Sequence, residues 1–195
     1  LSEMIKNLLD LSTIEAGAMQ YGLEITDLAV TVRRAVDEFR GLAVEKDLSL
    51  VVELPEESPL IPCDEKRCLQ VLGNLISNAI KFSKRGESIK IEIQCLDTPP
   101  RSIPEANRHR LMSLSSRFCV LSVRDRGQGV PDEDKERIFE RFFVLAKGRK
   151  NFGQGTGLGL AISRKIAEAH SGLLWVEDNP GGGSIFSFLL PDRGI

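Results

Sequence analysis

Apolar residues recur at steps of three and four from the first position: Leu1, Met4, Leu8 and Leu11, widened by Ile5, Leu9 and Ile14. That period places them on one stripe of a helix. A helix this short does not hold together alone in water, so the stripe needs a partner. Gly17 is the expected stop, with residues 16–22 as a hinge. The helical period resumes after Asp27, a good N-cap, with Leu28, Val32, Ala35, Val36, Phe39, Leu42 and Ala43 on the apolar face. Residues 48–54 read as a strand, 55–59 as turn material and 60–63 as a short edge strand. Asp64 then caps a long helix carrying Cys68, Leu69, Val71, Leu72, Leu75, Ile76, Ala79 and Ile80.

Residues 88–96 alternate as a strand. The pattern breaks over 97–117, where Pro99, Pro100, Arg101 and Pro104 precede a polar patch. This predicts a long connector with a short helical stretch at 105–111. Residues 118–123 form another strand, and 131–139 a short helix or turn with Pro131 near its start. A glycine-rich segment, expected from its composition to be mobile, runs to Gly157, followed by a helix over 158–169 with Leu160, Ile162, Ile166 and Ala169 on its face. Residues 173–177 and 184–190 read as a closing hairpin around 179–183. Helices interleaved with strands, with two strands last, predict an α/β (α+β) sandwich: one mixed sheet with helices packed on one face. A Rossmann fold is excluded, because no strand leads directly into G-x-G-x-x-G and a long helix.

At 195 residues the chain suits one domain, and 42 % hydrophobic with 28 % charged residues is ordinary globular composition. Lys and Arg number 26 against 28 Asp and Glu, a net charge of -2, so nothing global marks a nucleic-acid binder. No apolar run is long enough for a membrane helix, so no membrane contact by this chain is expected. The four cysteines form no C-x-x-C and the two histidines are far apart, which argues against zinc and for buried thiols in a reducing compartment. The start at Leu1 rather than Met reads as a cut within a longer protein.

Three segments carry chemistry. In Asn74-Leu-Ile-Ser-Asn78-Ala-Ile-Lys81-Phe82 the two amides are four apart, on one helix face, with Lys81 on the same side. An amide oxygen can meet Mg²⁺ and a lysine can meet phosphate; a helix-to-loop hydrogen-bond network would use the same residues. Asp125-Arg126-Gly127-Gln128-Gly129 follows an apolar strand, so Asp125 stands at a strand end, where a carboxylate can accept from an exocyclic amine. A capped turn is the alternative reading. Gly153-Gln154-Gly155-Thr156-Gly157-Leu158-Gly159-Leu160 opens a helix, whose free N–H groups make an anion site. No Lys-Ser/Thr follows, so it is not a P-loop. Residues 144–157 hold Lys147, Arg149 and Lys150 and no acidic residue, which suits a polyphosphate.

In this order the segments resemble the catalytic ATP-binding domain of two-component sensor histidine kinases, part of the ATPase superfamily shared with gyrase, Hsp90 and MutL. Residues 74–82 resemble the N box, 125–129 the G1 box, 138–143 the F box and 153–160 the G2 box. Residues 8–17 are similar to the end of the second dimerisation helix. Residues 61–64 and 70–74 resemble the approach to the N box, and 170–177 with 183–191 the closing hairpin. The resemblance implies a Bergerat-type fold with ATP and Mg²⁺ as cofactors. It implies residues 1–17 as a dimerisation-helix fragment, 18–26 as linker and 27–195 as catalytic domain, with a lid at about 130–157 and an inserted connector at about 97–117.

By the same resemblance Asn78 holds Mg²⁺, Asn74 supports the metal and phosphate side, Lys81 contacts phosphate and Phe82 lines the nucleotide site. Asp125 receives the adenine amino group, and Gly127 and Gly129 let the backbone pass close to the base. Gly155, Thr156, Gly157, Leu158 and Gly159 form the phosphate-side helix start and lid hinge. Phe139 and Phe142 pack the lid, and Lys147 and Arg149 reach the terminal phosphate. Hydrolytic relatives carry a glutamate where this chain has Asn74, and an amide cannot be that base. Phosphoryl transfer to a histidine is therefore implied. That histidine belongs to the chain's own dimerisation domain, a homodimer in the full-length protein, with a response regulator receiver domain downstream. His109 and His170 lie in the wrong contexts to be the acceptor, so autophosphorylation by this chain alone is not expected. The resemblance implies a cytoplasmic domain of a membrane-anchored or soluble protein. An anti-sigma-type serine kinase and a degenerate nucleotide-binding scaffold are the alternatives.

Overall fold

The computed structural model describes residues 2–145 and 156–193. The first helix, α1 (Ser2–Glu15), is followed by strand β1 (Glu24–Asp27) and helix α2 (Leu28–Glu45). The Asp27 side chain accepts from the Val30 N–H and so starts α2 where the sequence places it. Next come β2 (Ser49–Glu53), β3 (Leu60–Cys63) and α3 (Glu65–Phe82), whose cap Asp64 accepts from the Arg67 N–H. Strand β4 (Ser88–Leu96), helix α4 (Glu105–Met112) and strand β5 (Arg117–Arg124) lead to two 3₁₀ turns, Asp132–Asp134 and Arg137–Phe139. Helix α5 (Gly159–Ala169) and strands β6 (Leu173–Asp178) and β7 (Ser184–Asp192) close the chain.

The main sheet has the order β2-β4-β5-β7-β6. Strand β2 runs parallel to β4, and every other neighbour is antiparallel. Alternate residues of β4, β5 and β7 (Ile91, Ile93, Leu121, Val123, Phe186 and Phe188) face the core shared with α2, α3 and α5. On α3, Val71, Leu72, Leu75 and Ile76 are fully buried, each worth roughly 1.5–3 kcal/mol of apolar burial. The mixed sheet with its long helices on one face is the sandwich expected from the alternation. Among the described residues no helix is long and apolar enough to cross a membrane.

The structure departs from the sequence reading in several places. Residues 24–26, read as the end of the linker, form β1 together with Asp27 and pair antiparallel with β3, so β3 edges a separate two-stranded sheet. The rest of that segment is tied down as well: the Gly22 N–H donates to Asp64 Oδ2 at 3.1 Å, and the Tyr21 ring meets His170 edge-on at 5.7 Å. The connector is ordered. It lays Ile103 and Leu111 against Phe118, Val120 and Leu189, which point away from the main core. Arg110 donates to the carbonyls of Ser171 and Gly172 just past α5, and Ser115 to that of Asp192. Cys95 is exposed, contrary to the expectation of four buried thiols. His170 is buried, its Nδ1 against the Ile166 carbonyl at 2.8 Å and its Nε2 accepting from the Asp64 N–H at 3.0 Å.

Only the C-terminal end of the α1 stripe packs on this same chain, while Ile5, Leu8 and Leu9 are exposed. Leu11 is buried and Ile14 packs on the core. Asp10 is bound by Arg67 and by the Gln70 amide, whose Nε2 donates at 2.9 Å, both on α3.

Candidate functional site

A cavity of about 260 Å³ opens between α3, the loop after β5, the start of α5 and the end of the sheet. Its walls are part apolar, from Val130, Ile138, Phe143 and Phe186, and part polar, from Asn74, Asn78, Lys81 and Asp125. It brings together residues far apart in sequence because α3 and α5 pack side by side and β5 ends between them.

Asp125 is 4 % exposed, directly after β5. Its Oδ1 accepts from the Gly127 N–H at 2.8 Å and the Ser184 N–H at 3.2 Å. Burial pushes its carboxyl above the usual value, and those two N–H groups pull it back in part. The backbone of Asp125 is gripped as firmly: its N–H donates to the Ser184 carbonyl at 2.9 Å and its carbonyl accepts from Asn179 Nδ2 at 2.7 Å. Gly183 (φ +95°) lies so close that a Cβ there would come within 2.1 Å of the Asp125 carbonyl oxygen. A Cβ at Gly127 would meet the Phe82 carbonyl at 2.7 Å, so a glycine lets this loop press on the end of α3.

Asn74 faces α5. Its Nδ2 donates to the Gly159 carbonyl at 3.1 Å and to Ser163 Oγ at 3.0 Å. One amide thus stitches α3 to the first turn of α5. Four residues on, Asn78 lines the same cavity, followed by Lys81, whose Nζ sits 5.2 Å from the centre of the Phe82 ring. Gly157 has φ +67°, and its carbonyl accepts from the Phe142 N–H at 2.9 Å. The Leu158 N–H donates to Thr156 Oγ1 at 3.3 Å.

Of the residues chosen from sequence, Asn74, Asn78, Lys81, Phe82, Asp125, Gly129, Thr156, Gly157 and Gly159 line the cavity. Gly127 stands behind it, and Leu158 is buried in the core rather than at its wall. Lys147, Arg149 and Gly155 lie outside the described residues. Phe139 packs as expected, under the Arg164 guanidinium, but Phe142 is 59 % exposed. Phe143 takes its place at the cavity, with Arg137 over its ring at 4.7 Å. The sequence reading missed Asn179, Gly183 and Ser184 as supports of Asp125. The signal was present in Gly181, Gly182 and Gly183, more glycine than a hairpin turn needs. Asn7 of α1 also reaches the cavity rim.

A buried acceptor at one end, apolar walls, and amides with an ammonium at the other suit a purine joined to phosphates. Among the described residues no group of three or more His, Cys, Asp or Glu could hold a metal by itself. An Mg²⁺ ion fits such a site, since it keeps water and phosphate oxygens and takes few from protein.

Comparison with known proteins agrees with this geometry. Residues 63–194 match the family model of histidine kinase-, DNA gyrase B- and HSP90-like ATPases. The adaptive-response sensory kinase SasA of Crocosphaera subtropica is 37 % identical over 159 residues, 82 % of this chain and 36 % of that protein. Full-length ShkA in complex with AMPPNP superposes with a TM-score of 0.75 at 26 % identity, covering 97 % of this chain and 35 % of that one. Histidine kinase ThkA in complex with the response regulator TrrA gives a TM-score of 0.70 at 25 % identity, over 98 % of this chain and 48 % of that one. The chain thus spans little more than a third of the length of two of the curated relatives it matches, 36 % and 37 %. The chain belongs to the histidine kinase-, DNA gyrase B- and HSP90-like ATPase family, as a catalytic ATP-binding domain of Bergerat-type fold homologous to those of sensor histidine kinases.

Proposed function

We propose that the cavity binds ATP with Mg²⁺ and that the domain transfers the γ-phosphoryl group to a histidine imidazole. The observation that carries this reading is Asn74. Its side chain is a neutral amide whose NH₂ is committed to Gly159 and Ser163. It offers no carboxylate to take a proton from water, so hydrolysis lacks its base and transfer to another nucleophile is favoured.

In this reading Asp125 accepts from the adenine amino group, held in place by the Gly127 and Ser184 N–H groups. Lys81 meets a phosphate as a point charge, and Phe82 lines the base side. Backbone N–H groups over 155–159 surround phosphate oxygens at the start of α5. Lys147 and Arg149 contact the terminal phosphate, and Asn78 supplies an amide oxygen to Mg²⁺. When bound, such an ion would supply neutralisation of the phosphate charge. An imidazole nitrogen forms the new N–P bond while the bond from the γ-phosphorus to the bridging oxygen breaks, and ADP leaves.

The nucleophile comes from another part of the full-length protein. His109 is exposed on α4 and pairs with Glu105, and His170 is buried with both ring nitrogens engaged. Residues 1–17 are then the end of a second dimerisation helix, 18–26 the link and 27–195 the catalytic domain. The whole protein is a homodimer that passes phosphate to a response regulator. The resemblance to ThkA, solved with its response regulator, supports that order of events.

The test mixes this chain and ATP with a separately made dimerisation domain bearing the acceptor histidine. Acid-labile, base-stable phosphate on that partner is the expected product. No ATP-dependent labelling, or acid-stable phosphate on serine, overturns the reading.

A further inference from the structure

Cys95 and Cys119 are directly opposite residues of β4 and β5. Both are free thiols, and their sulfurs are 3.3 Å apart. Opposed residues of antiparallel strands have Cα atoms roughly 4.5–5.5 Å apart. That lies within the span of roughly 4.4–6.8 Å that a disulfide bridges. The two sulfurs can therefore join without a shift of backbone.

The pair is also asymmetric in access. Cys95 is exposed, whereas Cys119 is buried among core side chains. Burial, reinforced by the neighbouring Cys95, pushes the Cys119 thiol well above its ordinary value. An exposed thiol beside a buried one has the form of an attacking and a resolving cysteine. Cys63 and Cys68 make a second contacting pair, but both are fully buried against the core, out of reach of a reagent. Cys119 precedes Asp125 by six residues of extended chain, roughly 20 Å, so this is a place apart from the nucleotide cavity.

We propose that Cys95 and Cys119 form a thiol–disulfide modification site whose co-substrate is a low-molecular-weight disulfide of the glutathione class. The Cys95 thiolate attacks one sulfur of that disulfide, forms a mixed disulfide and releases one thiolate. Cys119 then gives up its proton, attacks the Cys95 sulfur and releases the second. Two protein thiols lose two electrons, and one small disulfide becomes two small thiols, which take up the two protons. The new bond staples β4 to β5 across the connector that carries α4. It stabilises the fold by restricting the unfolded chain.

The chain is incubated with excess oxidised glutathione, alkylated under denaturing conditions, and mapped by mass spectrometry. The expected product is about 2 Da lighter before alkylation, with the Cys95 and Cys119 peptides joined and Cys63 and Cys68 alkylated. It melts at a higher temperature than the reduced chain. Cys119→Ser stops at one glutathione adduct on Cys95, and Cys95→Ser leaves Cys119 as a free thiol. Four alkylatable thiols after treatment, a lasting adduct on Cys95 in the unaltered chain, or a Cys63–Cys68 link in place of the proposed one overturns the proposal.

Discussion

Asp125→Asn separates binding from stability in a way that tests the whole account of the cavity. The variant keeps an Oδ1 acceptor for the Gly127 and Ser184 N–H groups but removes a charge that is almost entirely buried. The carboxyl of Asp125 sits above its ordinary value of 3.8 because it is desolvated. The folded state therefore holds its proton to higher pH than the unfolded state, and the ionised form weakens the fold as pH rises through that window. At pH 7 the amide should leave the melting temperature of the free domain unchanged or higher. Adenine binding should respond in the opposite sense. A hydrogen bond to a charged acceptor is worth about 1.5–3 kcal/mol, and an Asn NH₂ turned toward the adenine NH₂ sets donor against donor. That converts to a loss of roughly 10- to 200-fold in affinity. Guanine carries an acceptor where adenine carries its amine, so the preference for ATP over GTP should narrow or reverse. Calorimetric titration with non-hydrolysable ATP and GTP analogues, beside thermal melts without nucleotide, reads both effects. Unchanged ATP affinity, or a lower melting temperature with selectivity intact, would refute the reasoning.

Three further outcomes follow from the packing. Gly183→Ala places a Cβ within 2.1 Å of the Asp125 carbonyl at φ +95°; it should cost about 1–3 kcal/mol in urea unfolding from the backbone alone and weaken ATP binding, and normal behaviour in both assays would contradict the nesting of this loop. Burial lowers the His170 imidazole below its ordinary 6.5, so stability is complete above that value and is lost as pH falls below it; denaturant titrations from pH 7.5 to 5 should show a steeper decline than in His170→Gln, and parallel curves would remove His170 from the account. Leu72→Ala opens space at a fully buried site of α3 and should cost about 2–5 kcal/mol by chemical denaturation, whereas under about 1 kcal/mol would mean that the α3 core is looser than described.

Much of this molecule is local, and the local part was legible in the chain. Asp27 and Asp64 each precede a run with helical period, and each caps its own helix through a bond three residues on. The asparagines four apart, the aspartate at a strand end and the glycines before a helix mark chemistry because turn geometry and hydrogen bonding act over a few residues. Their order was enough for the family and for the cavity's main residues. Short elements were harder to read: β1 has four residues, too few for an alternation to stand out, and only its pairing with β3 makes it a strand.

What the tertiary structure alone decided are the contacts between distant segments. Strand β7 enters between β5 and β6, and this brings Ser184 and Gly183 to Asp125. The approach of α5 to α3 turns Asn74 toward Gly159 and Ser163. Register sets Cys95 against Cys119 and leaves Cys63 against Cys68 in the core. Exposure divides Phe142 from Phe143, neighbours that composition treats alike. Sequence patterns record which residues share a face of one element. Which faces meet depends on burying every apolar face and pairing every strand at once, and no single segment carries that condition.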